Sequence, residues 1–547
     1  MVKLMIISGL VLLISITSSK VLYKFGVPIL LIFIILGMLF GSDGIVGIYF
    51  SDYELTKELC SIALVMIMFY GGFGTNWEMA KPSAIPSILM STLGVLITAA
   101  LTGLFSNLIL GTTLLEGLLI GSIVASTDAA SVFAILRSQK LNLEGSLASL
   151  LEVESGSNDP IAYMLTLTIL TLMNNGGLSS VAPMLVNQIV FGILIGTILA
   201  KIAVYSVKKA NFEIKGFYPI FITAIAILSY SLSEWLGGNG YLSVYMAGII
   251  IGNSKIPYKK TLYQFFDGIS WIMQIALFFI LGLLSFPSKF FSIAGISIPI
   301  SIFMIVVARP VATFIILHPF KFSNQEKLFI SWVGLRGAAS IVFAIYAVTY
   351  GVPIQNDVFH IIFFVALFSV AVQGTLIPKI AKKLDLIDDQ SSVLKTFNDY
   401  EEENSTKLME VTVDKDSSMA NKTIMDANIP EDILIVMIKR KGDVLVPNGS
   451  TVILAGDRLV VTGNNFDKLN QYKEEKSTKL MEFTVDKESS LAYKSIIESN
   501  IPNGILIVMI KREGNVVIPN GSTILLPEDI LVVTGNDFEE LDNLITA

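Results

Sequence analysis

Long apolar runs separated by short polar breaks extend from the amino terminus to about residue 385. An α-helix rises 1.5 Å per residue, so about 20 apolar residues cross a bilayer core of about 30 Å. The first run ends in SITSSK, which lacks a small-residue cleavage site, so we interpret it as a helix and not as a signal peptide. The pattern predicts thirteen spans, at about 3–19, 26–42, 58–75, 86–110, 114–137, 145–174, 181–208, 216–235, 240–254, 264–286, 291–318, 326–350 and 357–384.

Composition supports a polytopic membrane protein with a soluble tail. The 547 residues are 53% hydrophobic and only 15% charged, outside the soluble range, and the charge is concentrated after Asp385. We therefore expect a transmembrane domain over 1–385 and a linker over 386–404.

The net charge of −7 argues against nucleic-acid binding. Cys60 is the only cysteine, which excludes a disulfide framework and a cysteine-based metal site, and we expect no cofactor.

The basic residues of the predicted loops are distributed asymmetrically. With an odd number of spans and the tail inside, only Lys3, Lys57 and Lys289 fall outside. The cytoplasmic side receives Lys20, Lys24, Lys81, Arg137, Lys140, Lys201, Lys208, Lys209, Lys215, Lys255, Lys259, Lys260, Lys321, Lys327, Lys379, Lys382 and Lys383. The positive-inside rule then predicts a multi-pass protein of the plasma membrane, with an outer amino terminus and a cytoplasmic tail.

Ionisable residues interrupt several of the predicted spans. The sixth span contains Glu154-Ser155-Gly156-Ser157-Asn158-Asp159-Pro160 near its middle. A carboxylate at that depth costs roughly 2.5–3.5 kcal/mol on insertion scales, so a chain that keeps it there is expected to use it in an ion or proton pathway. Arg309 and Arg336 also fall within spans. They could snorkel to a membrane surface, but we favour pairing with the buried carboxylates.

Two spans have polar interruptions in corresponding positions. Ser126-Thr127-Asp128 interrupts the fifth span, and Gly334, Arg336 and Gly337 interrupt the twelfth; each interruption is followed by Ala-Ala-Ser. Such a pair is typical of inverted-repeat transporters with broken helices at the midplane. Asp128 suits the amino end of a half-helix and Arg336 a carboxyl end, where their charges oppose the helix dipole.

The polar residues of the fifth and sixth spans could form one cation site. Ser155 and Asp159 are four residues apart and share a helix face, which Thr127 and Asp128 could meet. The carboxylate, hydroxyl and backbone carbonyl oxygens of these residues suit a dehydrated alkali cation. No Cys or His cluster suggests a transition metal. Competition between a proton and a cation for one carboxylate is sufficient for antiport under alternating access. The alternative is a structural hydrogen-bonded network between helices.

Residues 1 to about 385 resemble the cation–proton antiporters, specifically the bacterial NhaP-type members. The resemblance rests on LEVESGSNDP, STDAASV, ARP at Arg309 and GLRGA at Arg336. It implies that Asp159 binds the cation and the proton, with further oxygens from Ser155 and Thr127. It also implies that Asp128 and Asn158 stabilise the crossing of the broken helices, and that Glu154 pairs with Arg309 or Arg336.

The resemblance carries further expectations about ion and stoichiometry. Asn158 stands where electrogenic relatives have a first aspartate, which points to electroneutral one-for-one exchange. The motif ESGSNDP is closer to the potassium–proton branch than to the sodium–proton branch, so we expect K⁺, with Na⁺ as the alternative cation. Family members are homodimers, so we expect a homodimer in the lipid bilayer.

The tail contains two copies of one sequence. Lys407-Leu408-Met409-Glu410 recurs 72 residues later as Lys479-Leu480-Met481-Glu482, and IVMIKR, PNGST and VVTGN recur in register. The pattern predicts two small α+β domains, at 405–470 and 477–541, each with strands around a short helix, near 419–427 in the first copy. The second copy has Pro527-Glu528-Asp529 where the first has Ala455-Gly456-Asp457, so their functions need not be equal.

These copies resemble the RCK C-terminal (TrkA-C) domain of bacterial potassium channels and transporters. Such domains regulate transport by dimerising around a small ligand, cyclic di-AMP in several Gram-positive systems, and the alternative is a dimerisation module without a ligand. No GxGxxG unit is present, so an NAD-sensing half is missing. The candidate ligand residues are Arg440, Val446, Pro447, Arg512, Ile518 and Pro519.

The leading hypothesis is a potassium–proton antiporter regulated through its tail. A ligand-gated potassium channel is the competing class, since channels also carry such tails, but no TVGYG-like filter is present. An enzyme is disfavoured because the sequence contains no Walker, triad or zinc motif.

Overall fold

A computed structural model describes two compact units, residues 1–401 and 402–547. The described residues of the first unit are 2–22, 28–139, 141, 143, 147–209 and 214–387. Those of the second are 408–413, 419–427, 433–440, 443–445, 447–463, 481–485, 489, 491–496, 498–499, 501, 505–512, 515–517, 519, 523–527 and 529–535.

The described part of the first unit is helical. Its helices are α1 (Val2–Leu22), α2 (Ile29–Phe40), α3 (Tyr53–Gly74), α4 (Trp77–Leu110), α5 (Leu114–Val124), α6 (Ala129–Ser138), α7 (Leu147–Met173), α8 (Leu178–Lys209), α9 (Phe217–Trp235), α10 (Gly240–Gly252), α11 (Lys259–Leu284), α12 (Pro287–Leu317), α13 (Asn324–Trp332), α14 (Ala338–Thr349) and α15 (Val358–Lys383). They overlap every predicted span, which confirms a polytopic helical membrane fold. How many of them cross the bilayer stays a prediction.

The helices pack in two groups. A scaffold group contains α1–α3 and α8–α11, and a crossing group contains α4–α7 and α12–α15. Glycines permit close approach within the scaffold: a Cβ on Gly248 of α10 would lie 2.5 Å from the Phe69 carbonyl oxygen of α3. The two groups meet mainly where α7 and α14 contact α3, α8 and α10.

Several helices of the crossing group are irregular. α4, α12 and α15 each contain a π-helical turn, at Met90–Gly94, Met304–Ala308 and Ser369–Gly374. Such turns leave carbonyl groups outside the regular ladder and are frequent near functional sites. α7 is continuous through Pro160, whose carbonyl oxygen accepts a hydrogen bond from the Asn239 side chain at 2.8 Å.

The second unit contains two antiparallel sheets with the same topology. The first sheet has the order β1-β4-β2-β3, from Leu408–Thr412 (β1), Ile433–Arg440 (β2), Asp443–Leu445 (β3) and Arg458–Gly463 (β4). The second has the order β5-β8-β6-β7, from Met481–Thr484 (β5), Ile505–Arg512 (β6), Asn515–Val517 (β7) and Ile530–Gly535 (β8). The predicted duplication therefore appears as two equivalent folds.

Each copy has its own core, and a third cluster joins them. That shared cluster contains Val436 of the first copy with Val508, Met509 and Val532 of the second. Val436 and Val508 lie at equivalent register shifts, in β2 and β6. A β-bulge redirects side chains, and here the shift places one valine of each copy on the shared face.

The prediction of a short helix near 419–427 is wrong. These residues form turns and one isolated bridge, between Thr423 and Val452. Asn421 has a φ of 62°, in the left-handed region, and its N–H donates to the Ile453 carbonyl at 2.7 Å. Because such backbone donors pair with the neighbouring 451–453 segment, they are not available for an i to i−4 ladder.

Candidate transport site

The two predicted helix interruptions face each other. α5 ends at Val124 and α6 begins at Ala129, while α13 ends at Trp332 and α14 begins at Ala338. The extended segments between them touch, since the Asp128 N–H donates to the Leu335 carbonyl at 2.8 Å. The crossing of two broken helices is therefore confirmed.

Asp128 caps the amino end of α6. Its Oδ1 accepts from the Ser131 N–H at 3.2 Å and its Oδ2 from the Ser131 hydroxyl at 2.6 Å. A carboxylate at this position satisfies free amides and opposes the positive end of the helix dipole. A Cβ on Gly337 would lie 2.5 Å from Asp128 Oδ2, so the opposite segment requires glycine for this approach.

Arg336 caps the carboxyl end of α5. Its Nη1 donates to the Ala125 and Ser126 carbonyls at 2.8 and 2.9 Å, and its backbone N–H donates to the Ser369 hydroxyl at 3.1 Å. The residue is buried. The arginine of one broken helix thus neutralises the negative end of the other, as the sequence predicted for Arg336.

Glu154 pairs with Arg309 rather than with Arg336. The Glu154 Oε1 and Arg309 Nη2 atoms are 2.6 Å apart, and the two side chains are 2% and 3% exposed. Glu154 lies on α7 and Arg309 lies on α12 immediately after its π-helical turn. The sequence left both arginines open as partners, and the structure selects one.

Asp159 lies beside the break in α5–α6. The Ser126 hydroxyl donates to Asp159 Oδ1. One turn earlier on α7, the Ser155 hydroxyl donates to the Thr127 carbonyl at 2.8 Å and accepts from the Ala129 N–H at 2.9 Å. The Asp159 carboxylate is therefore half-buried and accepts from one hydroxyl, while Ser155 binds the same break from one turn away.

Asn158 and Thr127 form a buried pair behind the carboxylate. Asn158 Nδ2 donates to Thr127 Oγ1, and the two residues are 0% and 6% exposed. The amide thus ties α7 to the extended segment of α5–α6. Ser126 was not assigned a role from the sequence, although its place beside Thr127 in the interruption was the available signal.

The three acids at the crossing have different surroundings. Asp128 caps a helix, and Glu154 has a guanidinium partner. Asp159 has a hydroxyl donor, and within the described part of the chain it forms no salt bridge. Among the described residues, Asp159 is therefore the acid at the crossing that has neither a helix cap nor a basic partner.

Both candidate arginines of the tail are engaged by a carboxylate of their own copy. Arg440 donates from Nε and Nη2 to Asp457 at 2.8 and 2.7 Å, and from Nη2 to the Val452 carbonyl at 2.7 Å. Arg512 makes the same contacts, at the same distances, with Asp529 and Ile524. The differences flanking the two aspartates therefore leave this pair intact.

The pairing changes the acidity of both groups in the first copy. The hydrogen bond to Asp457 raises the pKa of the Arg440 guanidinium. Burial raises the pKa of Asp457, but hydrogen bonds from Arg440 and the Leu454 N–H outweigh burial, so the pKa lies below its ordinary value. Pro447 and Pro519 are half-buried, and Val446 and Ile518 lie outside the described residues.

Comparisons with known proteins agree with this architecture. The model of the sodium/hydrogen exchanger transmembrane family matches residues 9–383, and the TrkA-C domain matches 408–469 and 480–544. The K(+)/H(+) antiporter NhaP of Alkalimonas amylolytica is 35% identical over 461 residues, covering 83% of this chain and 80% of that protein. The K(+)/H(+) antiporter NhaP2 of Shewanella sp. (strain ANA-3) is 34% identical over 469 residues, covering 84% and 80%.

A solved structure shows the same fold. The sodium proton antiporter MjNhaP1 from Methanocaldococcus jannaschii superposes with a TM-score of 0.61 at 24% identity, over 70% of this chain and 99% of that chain. The helices and these matches define an integral membrane protein of the exchanger class, whose curated relatives are antiporters rather than enzymes. The chain belongs to the sodium/hydrogen exchanger family and carries two TrkA-C domains.

Proposed function

We propose that this protein is a secondary active K⁺/H⁺ antiporter that exchanges cytoplasmic K⁺ for protons at Asp159. The observation that carries the proposal is the Asp159 carboxylate at the helix crossing, hydrogen-bonded to Ser126 and without a described basic partner. Relatives at 34–35% identity bear the name K(+)/H(+) antiporter, which favours potassium as the cation.

The exchange follows from competition at one carboxylate. Protonated Asp159 is neutral, and the ionised carboxylate with one bound K⁺ is neutral as well. Hydroxyl and carbonyl oxygens at the break, including those of Ser126 and Thr127, are suitable hard ligands for a dehydrated alkali cation. Alternating access then delivers the proton to one side and the cation to the other.

The surroundings of Asp159 favour electroneutral exchange. Asn158 contributes an uncharged amide, while Asp128 and Glu154 are held by a helix cap and an ion pair. One exchanging carboxylate has the same net charge in both loaded forms, so one proton replaces one cation. Under a voltage clamp that does not use potassium, the flux and its reversal point should not change with membrane potential. A reversal point that moves with voltage would refute this stoichiometry.

Cation-dependent dissipation of a pH gradient in everted membrane vesicles tests the proposal. K⁺ and Rb⁺ should dissipate the gradient more effectively than Na⁺, and Asp159→Asn should abolish the response. The matched control is Asp267→Asn on α11, which removes another half-buried carboxylate, one that accepts from the Tyr70 hydroxyl at 2.8 Å. Normal exchange by Asp159→Asn would contradict the site, and a stronger response to Na⁺ would contradict the cation.

The tail is proposed to be a cytoplasmic regulator. The positive-inside pattern supports this orientation, and the likeness to TrkA-C domains supports cyclic di-AMP as its ligand and a homodimer as the assembly. Regulation requires that the ligand prefer one conformational state. The ligand should therefore bind the full-length protein in calorimetry and change its flux.

Variants of the tail separate ligand binding from a structural role. Arg440→Lys keeps the positive charge but loses the two parallel hydrogen bonds to Asp457. It should weaken binding less than Arg440→Ala does. Absence of binding at tens of micromolar, together with unchanged flux after deletion of 405–547, would leave only a dimerisation module.

A further inference from the structure

Four hydroxyl-bearing side chains converge between the scaffold and crossing groups. We define the hydroxyl cluster as Ser61 on α3, Tyr230 on α9, Tyr241 on α10 and Tyr346 on α14. The Tyr346 hydroxyl is its centre, at 2.9 Å from Ser61 Oγ, 3.3 Å from the Tyr230 hydroxyl and 3.4 Å from the Tyr241 hydroxyl. One side chain of the crossing group thus contacts three helices of the scaffold group.

A buried aromatic ring connects the hydroxyl cluster to Asp159. Tyr163 follows Asp159 by four residues on α7, so the two share a helix face. The Tyr163 ring packs edge-on against Tyr346 and Tyr241, with centroids 5.3 and 5.0 Å apart, and Tyr163 is 3% exposed. Tyr163 thus lies one helical turn from Asp159 and contacts the hydroxyl cluster.

Glu234 lies one helical turn beyond Tyr230 of the hydroxyl cluster. This residue follows Tyr230 by four residues on α9, and its Oε1 accepts from the Gly240 N–H at 2.9 Å. A Cβ on Gly240 would contact both the Tyr230 ring and Glu234 Cγ, which shows how closely these groups pack. A polar and aromatic track runs from Asp159 through Tyr163, Tyr346 and Tyr230 to Glu234.

The turn of α7 that follows Asp159 is enclosed. Asp159 is half-buried, whereas Ala162, Tyr163 and Met164 are buried. Tyr163 of this turn packs against Tyr346 and Tyr241 of the hydroxyl cluster. The hydroxyl cluster therefore lies on the side of Asp159 towards the carboxyl end of α7.

We propose that the hydroxyl cluster is the closed second exit of the Asp159 site, and that the Tyr346 hydroxyl holds it shut. The proposal rests on exchange at Asp159, since alternating access requires the crossing and scaffold groups to part on this side. Net hydrogen-bond energies between neutral groups are small because water replaces the lost partners. The contacts of the hydroxyl cluster can therefore break when the two groups part, because water then satisfies the separated hydroxyls.

Tyr346→Phe is the decisive variant because it removes the central hydroxyl and keeps the ring against Tyr163. Losing three contacts should shift the opening equilibrium about tenfold, which corresponds to about 1.4 kcal/mol. Tyr350→Phe is the matched control. It removes a hydroxyl one turn further along, which lies 3.5 Å from Thr171 Oγ1 and outside the hydroxyl cluster.

Cysteine accessibility measures the opening without requiring transport. In the full-length protein with Cys60→Ala, a reporter Ala162→Cys lies on α7 between Asp159 and Tyr163 and is buried in the closed form. A membrane-impermeant thiosulfonate would be applied to right-side-out and inverted vesicles. Tyr346→Phe should raise the labelling rate of Ala162→Cys about tenfold from the membrane side at which the carboxyl end of α7 lies. The rate from the other membrane side should change little.

The outcomes separate the closure from the exchange site. Unchanged labelling in Tyr346→Phe, an equal rise from both sides, or an equal rise in Tyr350→Phe would overturn the proposal. If Tyr346→Phe does not fold, Ser61→Ala removes the 2.9 Å contact to Tyr346, together with the bond from the Ser61 hydroxyl to the Lys57 carbonyl within α3, and should give a smaller rise from the same side. Failure of Asp159→Asn to stop exchange would refute the transport site, whereas labelling reports the closure directly.

Discussion

Breaking the buried pair of Glu154 and Arg309 should strongly destabilise the membrane unit. The charged atoms are 2.6 Å apart and the side chains are almost fully enclosed. Opposite charges 4 Å apart attract by about 4 kcal/mol at an effective dielectric constant of about 20. Desolvation of both groups offsets much of this attraction, so the intact pair adds little net stability.

The variant Glu154→Ala removes the attraction but leaves the desolvation of Arg309. A buried charge left without its partner costs about 3–5 kcal/mol. Thermal unfolding of the purified protein should therefore begin at a clearly lower temperature. The double variant Glu154→Ala with Arg309→Met should recover part of the loss, because no unpaired charge then remains.

An exposed ion pair provides the control for this measurement. Lys289 and Asp357 are 2.9 Å apart, but their side chains are 49% and 35% exposed. Lys289→Ala should cost no more than about 1 kcal/mol, as is usual for solvated pairs. Equal losses in Lys289→Ala and Glu154→Ala, or no rescue by the double variant, would refute the reasoning from burial.

Three further predictions concern the site and the tail. Asp159→Asn should fold and melt like the parent while losing exchange, and early melting would indicate a structural role instead. Gly337→Ala should disrupt the crossing, because the added methyl would lie 2.5 Å from Asp128 Oδ2; a normal melting temperature with normal exchange would contradict this. The lowered pKa of Asp457 means that its pair with Arg440 stabilises the tail fully above the unfolded pKa of about 3.9 and progressively less as pH falls through the folded pKa. Acid unfolding of the fragment 405–547, followed by circular dichroism, should therefore be less steep in Asp457→Asn, and identical profiles would refute the pair's contribution.

The charged residues at the half-helix ends were predictable, because each helix end favours a side chain of the opposite charge beside it. Asp128 and Arg336 were assigned to opposite half-helix ends from the sequence, and both lie there. The partner of Glu154 could not be chosen, since two arginines of adjacent spans satisfied the same charge requirement. The place of Ser126 beside Thr127 did not assign it a role, because a serine in an apolar span usually bonds its own helix backbone.

Features that draw on distant segments could not be predicted. The hydroxyl cluster combines single residues of four helices, and nothing in the spacing of any one helix identifies it. The turn at 419–427 was mistaken for a helix because its backbone partners lie in the 451–453 segment, which local propensity does not include. The paired copies of the tail, in contrast, could be recognised from the 72-residue repeat alone.

The shared cluster of the two tail copies has a genetic consequence. In a homodimer each substitution appears on both sides of the contact, so a damaging substitution alters both sides at once. Here Val436 belongs to one copy and Val508 to the other, and each is encoded separately. One half of the contact can therefore change while the other is kept. The covalent link also makes association of the copies independent of protein concentration.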